Sequence, residues 1–248
     1  SAFQRTSSEV AEFVAVCMPR GVALVVALLG VWRAGKAYVP LEPSFPLQRL
    51  RFMLEDSQAQ LIITSQVEFI SKTPQIRLLP NGELEAANLP QSEDLEVRLG
   101  PTKASTATKA RSHLAYLIYT SGSTGTRKGV VVPQRGVCNV LHFFEASLRG
   151  KASSHDDLFV SVTTFCFDIS VLEMFWPLCF GFRLRLCSSS VTRSGALMKN
   201  VLDDAVACRG NGRVFLQATP NSFRNLLKAG WQGGPHLEAI CGGEAFPD

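Results

Sequence analysis

Short apolar runs alternate along the chain with stretches in which apolar residues recur every three or four positions. Residues 13–18, FVAVCM, end at Pro19 and predict a strand. Residues 21–34 predict a helix closed by Gly35; it is apolar nearly all round, so deep burial is expected. Residues 36–41 predict a second strand and Pro43 with Pro46 a turn. Leu47, Leu50 and Leu54 then share one helix face, and residues 61–64 predict a third strand. Residues 68–111 are polar and weakly periodic, and predict a connection with a short edge strand or two. Residues 114–119 read as a buried strand and residues 130–132 as another. Val137, Val140, Leu141, Phe144 and Leu148 mark an amphipathic helix. Strands are expected at residues 158–162, 183–186, 214–216 and 237–241, with helices at 170–180 and 197–206. Thr219-Pro220 opens a last helix to Lys228, a capping residue followed by proline at the first helical position. Strands alternating with helices predict an α/β fold whose parallel sheets are covered on both faces. The pattern has no internal repeat.

Composition bounds this picture. The 248 residues are 46% hydrophobic with a net charge of +4, enough for one large domain or two modest ones. Residues 10–67 read as a first α/β lobe, 68–113 as a connection and 114–248 as a second α/β lobe. The positive charges are scattered, unlike the dense basic tract of a nucleic-acid or membrane binder. The seven cysteines form no CxxC pair and the four histidines stand apart from them. That argues against a zinc site or a disulfide framework and for a reducing, cytoplasmic setting. The longest apolar stretch, residues 22–32, is too short to cross a bilayer, and no signal peptide is evident. Both ends read as cut, with Ser1 lacking an opening element and Asp248 following a motif that should lead onward.

Candidate chemistry centres on residues 114–128, LAYLIYTSGSTGTRK. Thr120, Ser121, Ser123 and Thr124 supply hydroxyls around Gly122 and Gly125. Glycine permits close backbone approach, and successive N–H groups can form an anion-binding concavity. Lys128 adds a point charge suited to phosphate oxygens. A flexible Ser/Gly linker is the bland alternative, and the strands on both sides argue against it. Arg127 stands where a Walker loop needs its second glycine, and glycines at 122, 125 and 129 do not fit the dinucleotide fingerprint.

YTSGSTGTRKG resembles the phosphate-loop signature of the adenylate-forming superfamily, which includes acyl-CoA synthetases, luciferases and the adenylation domains of nonribosomal peptide synthetases. The usual form has proline before the lysine, where this chain has Arg127. VVALLGVWRAGKAYVPLEPSFPLQRLRFMLEDS resembles the second core motif of peptide-synthetase adenylation domains, and its role is read as structural. The resemblance implies two sheet-based αβαβα-type lobes of the adenylate-forming N-terminal domain. The barrel-like part and the closing C-terminal lobe would lie beyond Asp248, together with the ribose-binding aspartate and the lysine of that lobe. The 248 residues alone are therefore expected to bind nucleotide weakly and not to turn over.

Asp168 follows a strand at the mouth of a helix, between Phe167 and Ile169. Residue chemistry alone favours a helix cap over recognition of an ammonium group. The resemblance reverses that preference, since FDxSxxE at residues 167–173 resembles the fourth core motif of amino-acid-activating domains. Its aspartate pairs with the substrate's α-amino group, and fatty acyl-CoA ligases usually lack it. Gly242, Gly243, Glu244 and Ala245 form a second glycine turn at the carboxyl end of a strand, where open α/β sheets bind ligands. The resemblance implies that this backbone lies against adenine, with Glu244 outside the chemistry. His113, His142, His155 and His236 are dispersed and no Ser/His/Asp set can be assembled, which excludes a hydrolase reading.

The activity implied is ATP-dependent activation of an amino acid as its adenylate, with release of pyrophosphate. Donors in the loop, Thr120 and Lys128 among them, would offset charge building on the phosphates, and Mg²⁺ is expected to share that task. The acyl group would pass to a phosphopantetheine thiol on a carrier protein within a multidomain synthetase. The family's pocket positions fall on Asp168, Ile169, Leu172, Gln217, Ile240 and Gly242. Bulky, uncharged walls imply glycine, then alanine or another small neutral amino acid. The alternative is an inactive nucleotide-binding or interaction module, suggested by the apparent truncation and Arg127.

Overall fold

The computed structural model describes residues 13–65, 73–78, 84–87, 113–121, 127–149 and 154–245. The chain divides into two compact units, Ser1–Pro19 with Ala23–Arg135, and Arg20–Val22 with Gly136–Asp248.

In the first unit, β1 (Phe13–Cys17), α1 (Val22–Arg33), β2 (Ala37–Pro40), α2 (Leu47–Ser57) and β3 (Leu61–Thr64) follow in turn. Then come β4 (Gln75–Leu78), β5 (Leu84–Ala87), β6 (Leu114–Ser121) and β7 (Arg127–Pro133). They build one sheet in the order β5-β4-β3-β1-β2-β6-β7. β1 to β4 and β6 pair in parallel, while β5 and β7 run antiparallel at the two edges. β6 and β7 therefore belong to this sheet, whereas the sequence pattern had grouped residues 114 onward with the second lobe. Period-two alternation cannot say which sheet a strand joins; hydrogen bonding to β2 does.

Ala15, Cys17, Val39, Leu41, Met53, Ile62 and Leu117 form the buried centre of this unit. In α1, Leu24, Leu28 and Val31 are buried, but Val22, Val26 and Leu29 are 76%, 57% and 41% exposed. An apolar composition does not bury a whole helix, because 3.6 residues per turn present only one stripe to a sheet. The buried stripe of α2 runs Leu50, Met53, Leu54, Ser57, so Leu47 at the first position lies outside it, 41% exposed.

The second unit holds most of α3 (Gln134–Phe144), a π-helical turn at Glu145–Arg149, β8 (Leu158–Ser161) and α4 (Ser170–Phe180). β9 (Arg183–Leu186), α5 (Ser189–Thr192), α6 (Gly195–Ala207), β10 (Val214–Ala218), α7 (Pro220–Lys228) and β11 (Leu237–Cys241) follow. Its four strands are all parallel, in the order β11-β10-β8-β9. Alternation along the strands sorts the two faces. Leu158, Val160, Val214, Leu216 and Ala218 pack with Met198, Leu202 and Leu226. Phe159 and Phe215 meet Trp176 of α4 at ring distances of 5.9 and 5.1 Å. Thr219 caps α7 as expected, its hydroxyl accepting from Ser222 N at 3.3 Å. α5, a single turn, carried no sequence signal. Val137 and Leu141 are the buried residues of α3; Val140 is 46% exposed.

Beneath this sheet, Arg149 and Asp157 form an ion pair 4% and 1% exposed, Nε to Oδ2 at 2.9 Å. Asp157 also accepts from Arg213 N at 2.8 Å and Ser154 N at 3.2 Å. These bonds satisfy a charge pair that burial would otherwise penalise.

Candidate active site

In the first unit, Thr120 stands opposite Lys128 across β6 and β7, and Ser121 opposite Arg127. Directly opposed residues of an antiparallel pair share a face. Thr120 and Lys128 are both exposed strand residues, whereas the sequence pattern placed them in the loop. Gly122, Ser123, Thr124 and Gly125 lie outside the described residues.

The strand end beneath them is pinned. Tyr119 donates its hydroxyl to Asp56 Oδ2 at 2.7 Å, tying β6 to α2. Burial, then the Asp56 carboxylate, holds the Tyr119 phenol well above the usual tyrosine range. A Cβ at Gly129 would sit 3.3 Å from Leu117 Cδ2 and 3.4 Å from the Tyr119 ring, a tight fit in which those side chains would have to give slightly.

In the second unit, Asp168, Ile169 and Leu172 lie at the entry to α4, Gln217 on β10, Ile240 on β11 and Gly242 just beyond it. Gln217 and Ile240 are in register across the parallel β10–β11 pair. They thus share a face, the one Phe215 presents to α4. Leu172 and Gln217 are buried, Ile169, Ile240 and Gly242 half-buried, and Asp168 exposed. The Asp168 carboxylate accepts from Ile169 N at 2.8 Å and does not cap α4. Instead the Asp168 backbone carbonyl takes the Val171 N–H at 3.1 Å. The carboxylate is solvated although apolar residues flank it, since Phe167 itself is 60% exposed. Gly242 N donates to Ala218 O at 3.2 Å, which holds the turn after β11 to β10. Gly243 needs its glycine, with φ of 87°. Glu244 and Ala245 are exposed.

Glu173 was not assigned a role from the sequence, although it is the one charged residue in the apolar helix SVLEMFWPLCF. That isolation was the available signal, because a charge is kept in a core only when it is paired. Its Oε2 accepts from Ser161 Oγ at 2.8 Å, Val162 N at 2.8 Å and Thr163 N at 2.9 Å. Burial pushes the Glu173 carboxyl up, opposed by the Thr163 and Ser161 donors and by the Arg20 charge. Arg20 clamps the same segment, donating to Ser161 O at 2.9 Å, Cys187 O at 2.6 Å and Thr163 O. The Thr163 hydroxyl donates to Gln217 Oε1 at 3.1 Å.

Among the described residues no three His, Cys, Asp or Glu side chains group into a metal site, and no helix is long and apolar enough to cross a membrane. None of the seven cysteines is joined in a disulfide.

The chain is similar to known proteins in sequence and fold. A dimodular nonribosomal peptide synthase of Bacillus subtilis (strain 168) is 33% identical over 237 residues, 95% of this chain and 9% of that protein. Syringomycin synthase SyrB1 of Pseudomonas syringae pv. syringae is 32% identical over 237 residues, 94% of this chain and 36% of that protein. The chain thus spans a minor part of these relatives' length. Among solved structures, a four-domain nonribosomal peptide synthetase bound to AMP and glycine superposes with a TM-score of 0.74 at 27% identity. That match covers 95% of this chain and 16% of that one. The family model described as AMP-binding enzyme matches residues 2–248, and the chain belongs to that family, with a mixed α/β fold that covers part of the adenylate-forming one.

Proposed function

We propose that the chain is part of an adenylation domain that activates a small neutral amino acid, glycine first and alanine second, as its adenylate. The observation that carries this reading is the entry to α4. There the exposed Asp168 carboxylate has, among the described residues, only Ile169 N–H as its hydrogen-bond donor, and it stands in the same unit as the uncharged Ile169, Leu172, Gln217 and Ile240. An aspartate that does not cap its helix is free to pair with an ammonium group, and uncharged walls leave a charged side chain unpaired. The solved relative that carries AMP and glycine supports the same pairing of nucleotide and substrate.

In this reading the amino acid's carboxylate oxygen attacks the α-phosphorus of ATP. The bond from that phosphorus to the bridging oxygen breaks, pyrophosphate departs, and a mixed anhydride remains. Thr120 and Lys128 supply a hydroxyl and a charge on one exposed face for the phosphates, where charge builds as the bond breaks. Magnesium would arrive with the nucleotide, since that ion is commonly held by phosphates and one or two carboxylates. Gly243, Glu244 and Ala245 would lend backbone to the adenine. A phosphopantetheine thiol on a carrier domain of a larger, cytoplasmic synthetase would receive the acyl group.

ATP–pyrophosphate exchange with the chain extended through a C-terminal lobe tests the reading. Exchange that depends on glycine is expected; its absence with every amino acid would favour a nucleotide-binding module that activates nothing.

A further inference from the structure

Two buried polar atoms of the second unit have no partner among the described residues, Glu173 Oε1 and Gln217 Nε2. Both side chains are 0% exposed, and Thr163 touches both. Its N–H donates to Glu173 Oε2 at 2.9 Å and its hydroxyl to Gln217 Oε1 at 3.1 Å. Holding Oε1 fixes the plane of the amide, and with it the direction of Nε2, which keeps donors to spare. A glutamine on a strand is otherwise a long side chain with several rotamers.

The support behind Thr163 is unusually complete. Glu173 takes the N–H groups of Val162 and Thr163 together with the Ser161 hydroxyl. Arg20 takes the carbonyls of Ser161 and Thr163. The carboxyl end of β8 is thus fastened through donors and acceptors alike. Ser161 lies on the sheet face that Phe159 turns to α4, and Gln217 on the same face with Phe215 and, by register, Ile240. Glu173 enters that face from α4 itself, one residue after the pocket residue Leu172.

We propose that Glu173 is a positioning residue for amino-acid selection: it fixes Thr163, and Thr163 locks the Gln217 amide in the one conformation that fills the pocket beside Ile240. The inference rests on the reading of Asp168, Leu172, Gln217 and Ile240 as an amino-acid pocket. A locked glutamine excludes any side chain larger than a methyl group; a glutamine released from Thr163 swings aside and admits one. Selectivity is therefore set by Glu173 and Thr163 together, although neither is assigned contact with the amino acid.

Calorimetric binding of glycyl-, alanyl- and leucyl-sulfamoyl adenosine to the full polypeptide tests this. Wild type is expected to prefer the glycyl compound, and Thr163→Val to lower the glycyl-to-leucyl preference about tenfold, the size of one lost hydrogen bond. Thr163→Ser keeps the hydroxyl and should keep the preference. Glu173→Gln should shift it the same way as Thr163→Val, while AMP binds both variants as it binds wild type. In a Gln217→Ala background Thr163→Val should have no further effect. A separate readout is the side-chain amide resonance of Gln217, expected to move in Thr163→Val and Glu173→Gln without ligand. A Thr163→Val protein that retains the wild-type preference and the wild-type Gln217 resonance overturns the positioning role and leaves the pocket intact. A wild-type protein that prefers the leucyl compound or binds none of the three overturns the pocket reading itself, and this inference with it.

Discussion

Thr120 and Lys128 face each other directly across β6 and β7, so a hydroxyl and an ammonium group project from the same face of one antiparallel pair. The lysine is held by ladder hydrogen bonds on a strand whose neighbour is tied to α2 through Tyr119 and Asp56. A charge placed this way needs little reorganisation when negative charge develops on a phosphate. Lys128→Ala should lower the rate of pyrophosphate exchange about 100-fold, the scale of losing one preorganised donor. Because Lys128 is exposed, its melting temperature should match wild type. Steady-state exchange and a thermal melt on the same preparation check both halves.

Asp168→Ala should raise the KM for the amino acid and leave the KM for ATP unchanged. A charge-assisted hydrogen bond to an ammonium group is worth about 1.5–3 kcal/mol, roughly 10- to 150-fold in binding. No stability loss is expected, since the carboxylate accepts from Ile169 N and does not cap α4. Amino-acid titrations at saturating ATP measure the effect. An unchanged KM with a lowered melting temperature would return Asp168 to a structural role.

The buried knot at Asp157 carries stability rather than chemistry. Asp157→Ala removes one of the two carboxylates on the buried Arg149 guanidinium, leaving Glu145 Oε2 at 3.1 Å, and removes the acceptor for Arg213 N. Leaving a buried charge wholly uncompensated costs about 3–5 kcal/mol, and the retained Glu145 carboxylate puts this variant toward the lower end of that range. Urea unfolding of wild type and variant should show that difference, with the slope unchanged.

Thiol chemistry should separate the cysteines by depth. Burial, then the Glu42 charge, pushes the Cys17 thiol up to about 12. The thiolate is the nucleophile, so raising pH through the ordinary thiol range should leave Cys17 unmodified while the chain is folded. Cys138 and Cys208 are exposed and should react with iodoacetamide first. Peptide mapping after timed alkylation at pH 8 distinguishes them.

Much of this was legible in the residues. Each strand and helix of the second unit except α5 follows from an apolar run or a 3.6-residue period, because both sheet faces there are covered by apolar side chains. The assignment of β6 and β7 was not legible: a strand's pattern reports its faces and says nothing of its neighbours. Nor was the exposure of Val22, Val26 and Leu29, since composition alone cannot show which stripe of α1 meets the sheet. The proposed pocket positions rest on a motif resemblance, and the register of Gln217 with Ile240 is what the fold adds to them. Glu173 escaped for a different reason. Its partners are two backbone N–H groups and a serine hydroxyl, and no sequence pattern announces such donors.

The central claim is the amino acid itself. In the proposed pocket Ile169, Leu172 and Ile240 would fill space with branched side chains, and Gln217 would offer hydrogen bonds without a charge. Alanine exceeds glycine by one methyl group, a difference worth only about 1–3 kcal/mol in such a pocket, so some activation of alanine is expected. The most direct measurement is ATP–pyrophosphate exchange across all twenty amino acids with the chain extended through a C-terminal lobe. Glycine should give the highest rate and alanine the next. A clear preference for phenylalanine, leucine or glutamate over glycine would contradict the account.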